Sequence, residues 1–372
     1  MKIDVITTEE EFKNIRKEWS DLLDGVCSSI FQTWEWQWTW WKHYRKGKNL
    51  FILTARENEL IGIAPFYLSN SYLGLPIKVV SFLGTGPSDY GGFIVLQEKE
   101  EEFIETILAY LSASAWDWDV MDLHQIPQDL INVDHLEGLD KSFEYFKHSQ
   151  DNSLVLTLPC GWDDYLKGLN SKFRYNLNYN SRRIQKICGA NMYDVSEREE
   201  DISCGMNIFF DLHQKRWKSK KLPGLFWNKR YKDFHMDVAH YFNKKGWLAL
   251  YFLTLDDGPI ASLYGFRYND CFYYYLGGYD PCWGRLSPGT VLTGEAIRDS
   301  ITKGLSRFDF LRGMEKYKLK WGAVAHKNMR LLLCKKTNSL NIHSLSALSV
   351  RALGYENEIL MKAKERLRQS DN

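Results

Sequence analysis

Three short segments recur in the same order along this chain, and that recurrence restricts the fold more than any other feature. Asn49 to Leu68 reads as two strands around a polar turn at Glu57 to Glu59, and Gly246 to Phe266 repeats the design with its turn at Asp256 to Gly258. Ile61 and Ile260 take matching places. Further on, Phe82-Leu83-Gly84 is matched by Tyr275-Leu276-Gly277, and Val120-Met121-Asp122-Leu123 by Arg307-Phe308-Asp309-Phe310. The offset drifts by only a few residues, as in a tandem duplication with small insertions; chance similarity of short strands is the alternative.

Each copy then forms an α/β unit, in the order helices, antiparallel meander, helix, further strand. Apolar spacing predicts helices at about Thr8 to Leu23, Gln32 to Tyr44 and Lys99 to Ser114 in the first copy. In the second it predicts Trp162 to Lys186, Glu199 to Lys220 and Trp227 to Asn243. The expected class is α/β (α+β), with two mixed central sheets flanked by helices. Domains are expected at 1–150, 151–335 and 336–372, the last a helical tail with an amphipathic stretch from Arg351 to Gln369.

Composition narrows the function classes. Forty-eight basic and 47 acidic residues leave a net charge of +1 over 372 residues, so no global field favours nucleic acid or an anionic surface. Any anionic ligand must be held locally. Neither a leader-type apolar core nor a run of spanning length appears, so a cytoplasmic protein without integral membrane association is expected. Seven cysteines without a CxxC pair argue for reduced thiols, and nine histidines lack metal-type spacing, so no metal is expected. Trp34, Trp36, Trp38, Trp40 and Trp41 fall in one predicted helix capped by Thr33, where core filling is favoured over sugar stacking.

The chemistry concentrates between Tyr273 and Trp321. Cys271 to Leu276 is an aromatic strand stopped by Gly277, Gly278, Asp280 and Pro281; the chain turns through Gly284 to Gly289 and opens a helix near Thr290. A helix N-terminus after such a turn offers unpaired N–H groups and the positive end of the peptide dipoles, the needs of a pyrophosphate. A plain turn is the alternative. In the first copy Gly84 to Gly92 runs on into another strand-like stretch, Phe93 to Leu96, and no helix begins there. The second copy is therefore the candidate for holding a cofactor.

Ser171-Lys172-Phe173-Arg174 with Arg182-Arg183, His213 and Arg216-Trp217, Tyr279-Asp280, Ser287-Pro288-Gly289, Asp309 to Gly313, Tyr317-Lys318 and Trp321 resemble the BioF2-like or CelD/BcsL-type acetyltransferases of the GNAT superfamily, relatives of the FemABX aminoacyltransferases. The Phe31-Gln32 to Trp36 segment resembles that family's N-terminal region. The resemblance implies a tandem GNAT fold whose first copy is degenerate. It also implies acetyl-CoA or a longer acyl-CoA as co-substrate, and an N- or O-acyl transfer connected with exopolysaccharide or cell-envelope synthesis. The expected partner is a small-molecule or saccharide acceptor. Nucleic acid enters only under a FemX-like alternative that draws on aminoacyl-tRNA; a non-catalytic ligand-binding module is the other alternative.

Acyl transfer from a thioester needs a deprotonated nucleophile, a polarised carbonyl and a proton for the departing thiolate. For the carbonyl and the cofactor the expected contacts are Leu276, Gly277, Gly278, Arg285, Ser287, Pro288, Gly289 and Thr290. Asp309 or Glu315 is the expected base, with Asp309 as a brace of the following turn in the other reading. Tyr317 is the expected acid, and His213 the histidine candidate for base or acceptor contact. Arg174, Arg312, Lys318 and Tyr275 are expected to bind substrate.

Overall fold

The computed structural model describes residues 1–113, 116–128, 143–188, 191–197, 201–255 and 258–336. The chain divides into two compact units, residues 1–151 with 327–372, and residues 152–326. The stretch 327–335, expected with the second domain, belongs to unit 1, because its strand pairs with a strand there. The tail helix expected over Arg351 to Gln369 lies outside the described residues.

Unit 1 contains strands β1 (Lys2–Ile6), β2 (Lys48–Arg56), β3 (Leu60–Ser69), β4 (Val79–Phe82), β5 (Ile94–Val95) and β6 (Val120–Pro127). It also holds the first part of β7 (Phe143–Thr157) and most of β13 (Val324–Lys335). Pairing runs β1-β2-β3-β4-β6-β13, parallel only between β4 and β6. Its helices are α1 (Glu9–Asn14), α2 (Arg16–Asp24), α3 (Trp34–Tyr44) and α4 (Glu100–Ala113). On one sheet face Phe103, Ile107 and Leu111 of α4 pack with Phe66, Phe82 and Leu123; on the other, Trp40 meets Tyr67.

The tryptophan helix is core. Thr33 caps it by accepting from the Trp36 N–H, and Trp36 and Trp40 are almost wholly buried. Four of the five indole N–H groups have partners: Trp34 donates to the Phe12 carbonyl, Trp36 to Ser88 Oγ, Trp40 to the Thr85 carbonyl and Trp41 to Glu9. Such satisfied, buried rings leave no face for a sugar.

Unit 2 completes β7 and adds α5 (Trp162–Gly168), α6 (Ser171–Cys188), β8 (Asn191–Asp194), α7 (Ile202–Lys218), α8 (Lys229–Lys244), β9 (Leu248–Leu255), β10 (Gly258–Tyr268), β11 (Cys271–Tyr279), α9 (Pro288–Thr302), β12 (Arg307–Arg312) and α10 (Lys316–Leu319). Its strands pair in the order β8-β9-β10-β11-β12-β7, again parallel at one place, between β11 and β12. Helices α6 and α9 cover one face through Leu177, Ile184, Val291, Leu292 and Ile297, while α7 and α8 cover the other through Phe209 on Tyr264 and Phe242 on Phe266.

The two sheets repeat each other in detail. In unit 1, His124 and Gln125 stand opposite the single Arg330, and Gln125 has φ +56°. In unit 2, Phe310 and Leu311 stand opposite the single Leu154, and Leu311 has φ +59°. A shared bulge at corresponding strands, each with a residue in left-handed geometry, is a feature that chance pairing of short strands does not reproduce. The fold is a tandem of two α/β units with the same sheet order.

Candidate active site

Strand β11 stays paired with β10 as far as Tyr279 but with β12 only over Cys271 to Tyr273. Beyond Tyr273 the parallel neighbours part, and one edge of β11 loses its ladder. The Asp280 N–H bonds the Ile260 carbonyl at 2.8 Å, so by antiparallel alternation Gly278 turns its backbone groups toward β10 and Gly277 turns its own into the gap. Arg216 of α7 reaches that gap and donates from Nη1 to the Gly277 carbonyl at 3.0 Å. Of the three expected backbone donors, Gly277 alone therefore points where an acyl carbonyl would need it.

The parted strands open a cavity of about 310 Å³ in unit 2, lined by Gly277, Gly278, Ser287, Pro288, Gly289 and Thr290 among the expected cofactor contacts. Helix α9 starts at its wall. Thr290 and Val291 bond back to the Ser287 carbonyl and Pro288 has no N–H, which leaves Gly289 as the first-turn donor that the helix does not use. Ser287 sits at φ +52°, ψ 49°, a left-handed conformation that turns the chain sharply into the helix. Leu276 and Arg285 do not line the cavity, and Arg285 is exposed. A backbone edge, a helix start and the Arg216 guanidinium form a donor-rich wall that suits an acyl thioester bearing phosphates.

The glycines do different work. A Cβ on Gly278 would meet the His213 nitrogen at 2.4 Å and the Leu212 carbonyl carbon at 2.6 Å, so this glycine lets α7 lie directly on β11. A Cβ on Gly277 would meet the Tyr274 hydroxyl at 2.4 Å, inside the cavity. On Gly289 it would make only an ordinary 3.6 Å contact with Tyr279.

Among the expected catalytic residues, Tyr317 lines the cavity and shares a hydrogen bond with Tyr274. Burial first, then Tyr274 and the Glu315 charge, push its hydroxyl well above the usual phenol range. It stays protonated at neutral pH, the state of a proton donor. Asp309 does not reach the cavity. Phe308 and Phe310 face the core beside Tyr274, so by strand alternation Asp309 faces the opposite side, where its carboxylate accepts from the Leu311 N–H at 2.7 Å and braces the bulge.

His213 is wholly buried and accepts on Nε2 from the Trp217 indole at 2.9 Å. Burial, with the neighbouring Arg216 charge, drops its pKa to about 3. It is a core group. Glu315 is 55% exposed and paired with Lys318 at 2.9 Å, at the edge of the site where its charge still acts on both tyrosines.

None of the four expected substrate contacts lines the cavity. Lys318 is buried and donates to the Arg312 carbonyl at 2.6 Å, so its charge knots the turn after β12. Arg312 contributes that carbonyl. Arg174 Nη1 donates to the Leu166 and Lys167 carbonyls, closing the end of α5. Tyr275 bulges out of register onto the α7/α8 face, against His235 and the Tyr231 hydroxyl.

In their place the structure brings Phe173, Arg216, Tyr274, Tyr279, Thr293 and Lys320 to the wall. Arg216 lies three residues beyond His213 on the same helix, and only the turn of α7 decides that the arginine, not the histidine, reaches the wall. No carboxylate or histidine lines this cavity.

In unit 1 the edge between β4 and β6 is filled among the described residues. The Gly91 N–H donates to the Gln125 carbonyl at 2.9 Å, Asn328 reaches the Asp89 carbonyl, and Tyr90 packs on Phe31. Its own loop occupies the edge that stays free in unit 2.

A family model described as an acetyltransferase (GNAT) domain matches residues 171–319. The chain carries a GNAT acetyltransferase domain. No curated protein matches it. Among solved structures it resembles FemX (11% identity, 89% of this chain and 97% of that one, TM-score 0.64). It also resembles the C-terminal domain of a putative lysylphosphatidylglycerol synthetase from Agrobacterium fabrum (9%, 91% and 95%, TM-score 0.55) and L-PGS from Bacillus licheniformis (12%, 91% and 95%, TM-score 0.54). At these identities the likeness is one of fold. The family match lies within unit 2, and among the described residues no helix is long and apolar enough to cross a membrane.

Proposed function

We propose that the chain transfers an acyl group from an acyl-CoA to an amine or hydroxyl of a saccharide or cell-envelope precursor, at the unit 2 cavity. The observation that carries this reading is the juxtaposition of the free β11 edge at Gly277 with the start of α9 at Gly289. In this reading the Gly277 N–H polarises the thioester carbonyl, Arg216 fixes the strand edge through the Gly277 carbonyl, and the Gly289 N–H meets a phosphate oxygen. Tyr317, protonated and hydrogen-bonded to Tyr274, returns a proton to the departing thiolate. Glu315 takes the acceptor's proton through water, since no carboxylate stands at the cavity wall itself. Unit 1, with the corresponding edge filled by residues 84–92, serves no donor site.

The test is a thiol-release assay with acyl-CoAs of graded chain length against amino sugars, amino acids and polyamines. Acceptor-dependent thiol release is the expected result, together with a rise in melting temperature on acyl-CoA addition. Gly289→Trp is expected to abolish both. No thermal shift and no release across the series would end the acyl-CoA reading, and activity that disappears on RNase treatment would assign the donor to aminoacyl-tRNA.

A further inference from the structure

Helix α6 contains no acidic residue, and its outward face carries one kind of chemistry. Phe173, Leu177 and Ile184 turn inward. At 100° per residue, Lys172, Tyr175, Tyr179, Arg182, Arg183 and Lys186 fall on the opposite side, and all six are exposed. They form a stripe about 21 Å long. Tyr175 is 68% exposed and Tyr179 52%, their rings stacked at 6.2 Å.

A second surface borders the same cavity. Tyr317, Lys320 and Trp321 line it, and the segment around them exposes Met314 (47%), Leu319 (44%) and Val324 (64%) beside Lys316 and Lys320. The one carboxylate there, Glu315, is matched by Lys318. Phe173, on the inward face at the start of α6, packs on Trp321 at 4.8 Å, so the beginning of this helix lies beside the 314–324 segment.

From this we infer that unit 2 docks on an anionic lipid surface, through the α6 stripe and the 314–324 segment, with the cavity opening toward the headgroups. Cations with tyrosines at their level suit the headgroup layer, and exposed aliphatic side chains suit the layer beneath. A single-stranded nucleic acid would also use tyrosines and cations, but it gives Met314, Leu319 and Val324 no role. The inference deepens the proposed function, on which it rests, by placing the acceptor's transferable group on or beside a lipid headgroup.

The experiment is co-sedimentation of the full chain with phosphatidylcholine vesicles, with and without about one-third phosphatidylglycerol. Binding to the anionic vesicles alone, weakened by salt, is expected. Arg182→Gln with Arg183→Gln should lower the partition about twenty-fivefold, at roughly fivefold per charge. Tyr175→Ser with Tyr179→Ser, or Val324→Asp, should lower it further while vesicle-free thiol release is unchanged. Equal binding to neutral vesicles, no vesicle binding, or retention of a single-stranded RNA oligomer in place of vesicles would each overturn the inference. Thiol release without vesicle binding removes the docking surface and keeps the transferase reading; vesicle binding without thiol release from any acyl-CoA does the reverse.

Discussion

His213 and Lys318 carry the chemistry of catalytic residues, yet both serve the fold. His213 is held neutral with its pKa depressed to about 3, while an unfolded chain would take up a proton below its ordinary value near 6.5. The unfolded state then binds the extra proton, so this residue's contribution is complete above about pH 6.5 and is lost progressively as pH falls toward 3. His213→Phe should therefore reduce the stability difference between pH 7 and pH 5, by up to about 2 kcal/mol in urea unfolding. Lys318→Met should cost about 2–3 kcal/mol of stability by leaving the turn carbonyls unpaired, with the acceptor KM unchanged in the folded fraction. Tyr317→Phe should do the opposite, cutting acyl transfer about a hundredfold at unchanged melting temperature. Residue type alone did not separate these roles, because facing decides them: Tyr317 faces the cavity, whereas His213 and Lys318 face packed protein.

At the scale of elements, periodicity was a good guide to where helices lie and a poor one to where they break. The helix expected over Trp162 to Lys186 is two helices, because Leu169 is extended and the Asn170 side chain caps the Lys172 and Phe173 N–H groups. The one expected over Thr8 to Leu23 breaks at Ile15. Glycines in β11 and α9 follow the same division. Gly278→Ala forces a Cβ into the α7 backbone and should destabilise by a few kcal/mol, whereas Gly289→Ala should leave the denaturation midpoint unchanged. Ser287, left-handed without a glycine's freedom, gives the matching positive case. Ser287→Gly is expected to raise stability by about 0.5–1 kcal/mol, seen as a higher urea midpoint.

Over the whole molecule, the repeat detected from three short matches corresponds to two sheets of the same pairing order with the same bulge. That much was local, since strand pattern and order are properties of contiguous sequence. Divergence between the copies was not. In unit 2, Asp309 braces the bulge backbone; in unit 1 the corresponding Asp122 is buried against Arg330, with both carboxylate oxygens bonded at 2.6 Å. Against the cost of burial, the neighbouring His124 and then Arg330 hold the Asp122 carboxyl well below its usual range. Arg330→Met removes both Arg330 contacts from buried Asp122 and leaves it only His124, at 3.0 Å, and should cost about 3 kcal/mol in chemical denaturation. By itself the sequence determined the duplication, the α/β class and the copy able to start a helix after its central strand. Only the tertiary structure decided which side chains meet in the cavity. Arg216 comes from one helix, Tyr274 and Gly277 from a bulged strand, Gly289 from a second helix and Tyr317 from a third. Whether each faces in or out depends on a one-residue bulge and a parting of strands, which no local pattern encodes.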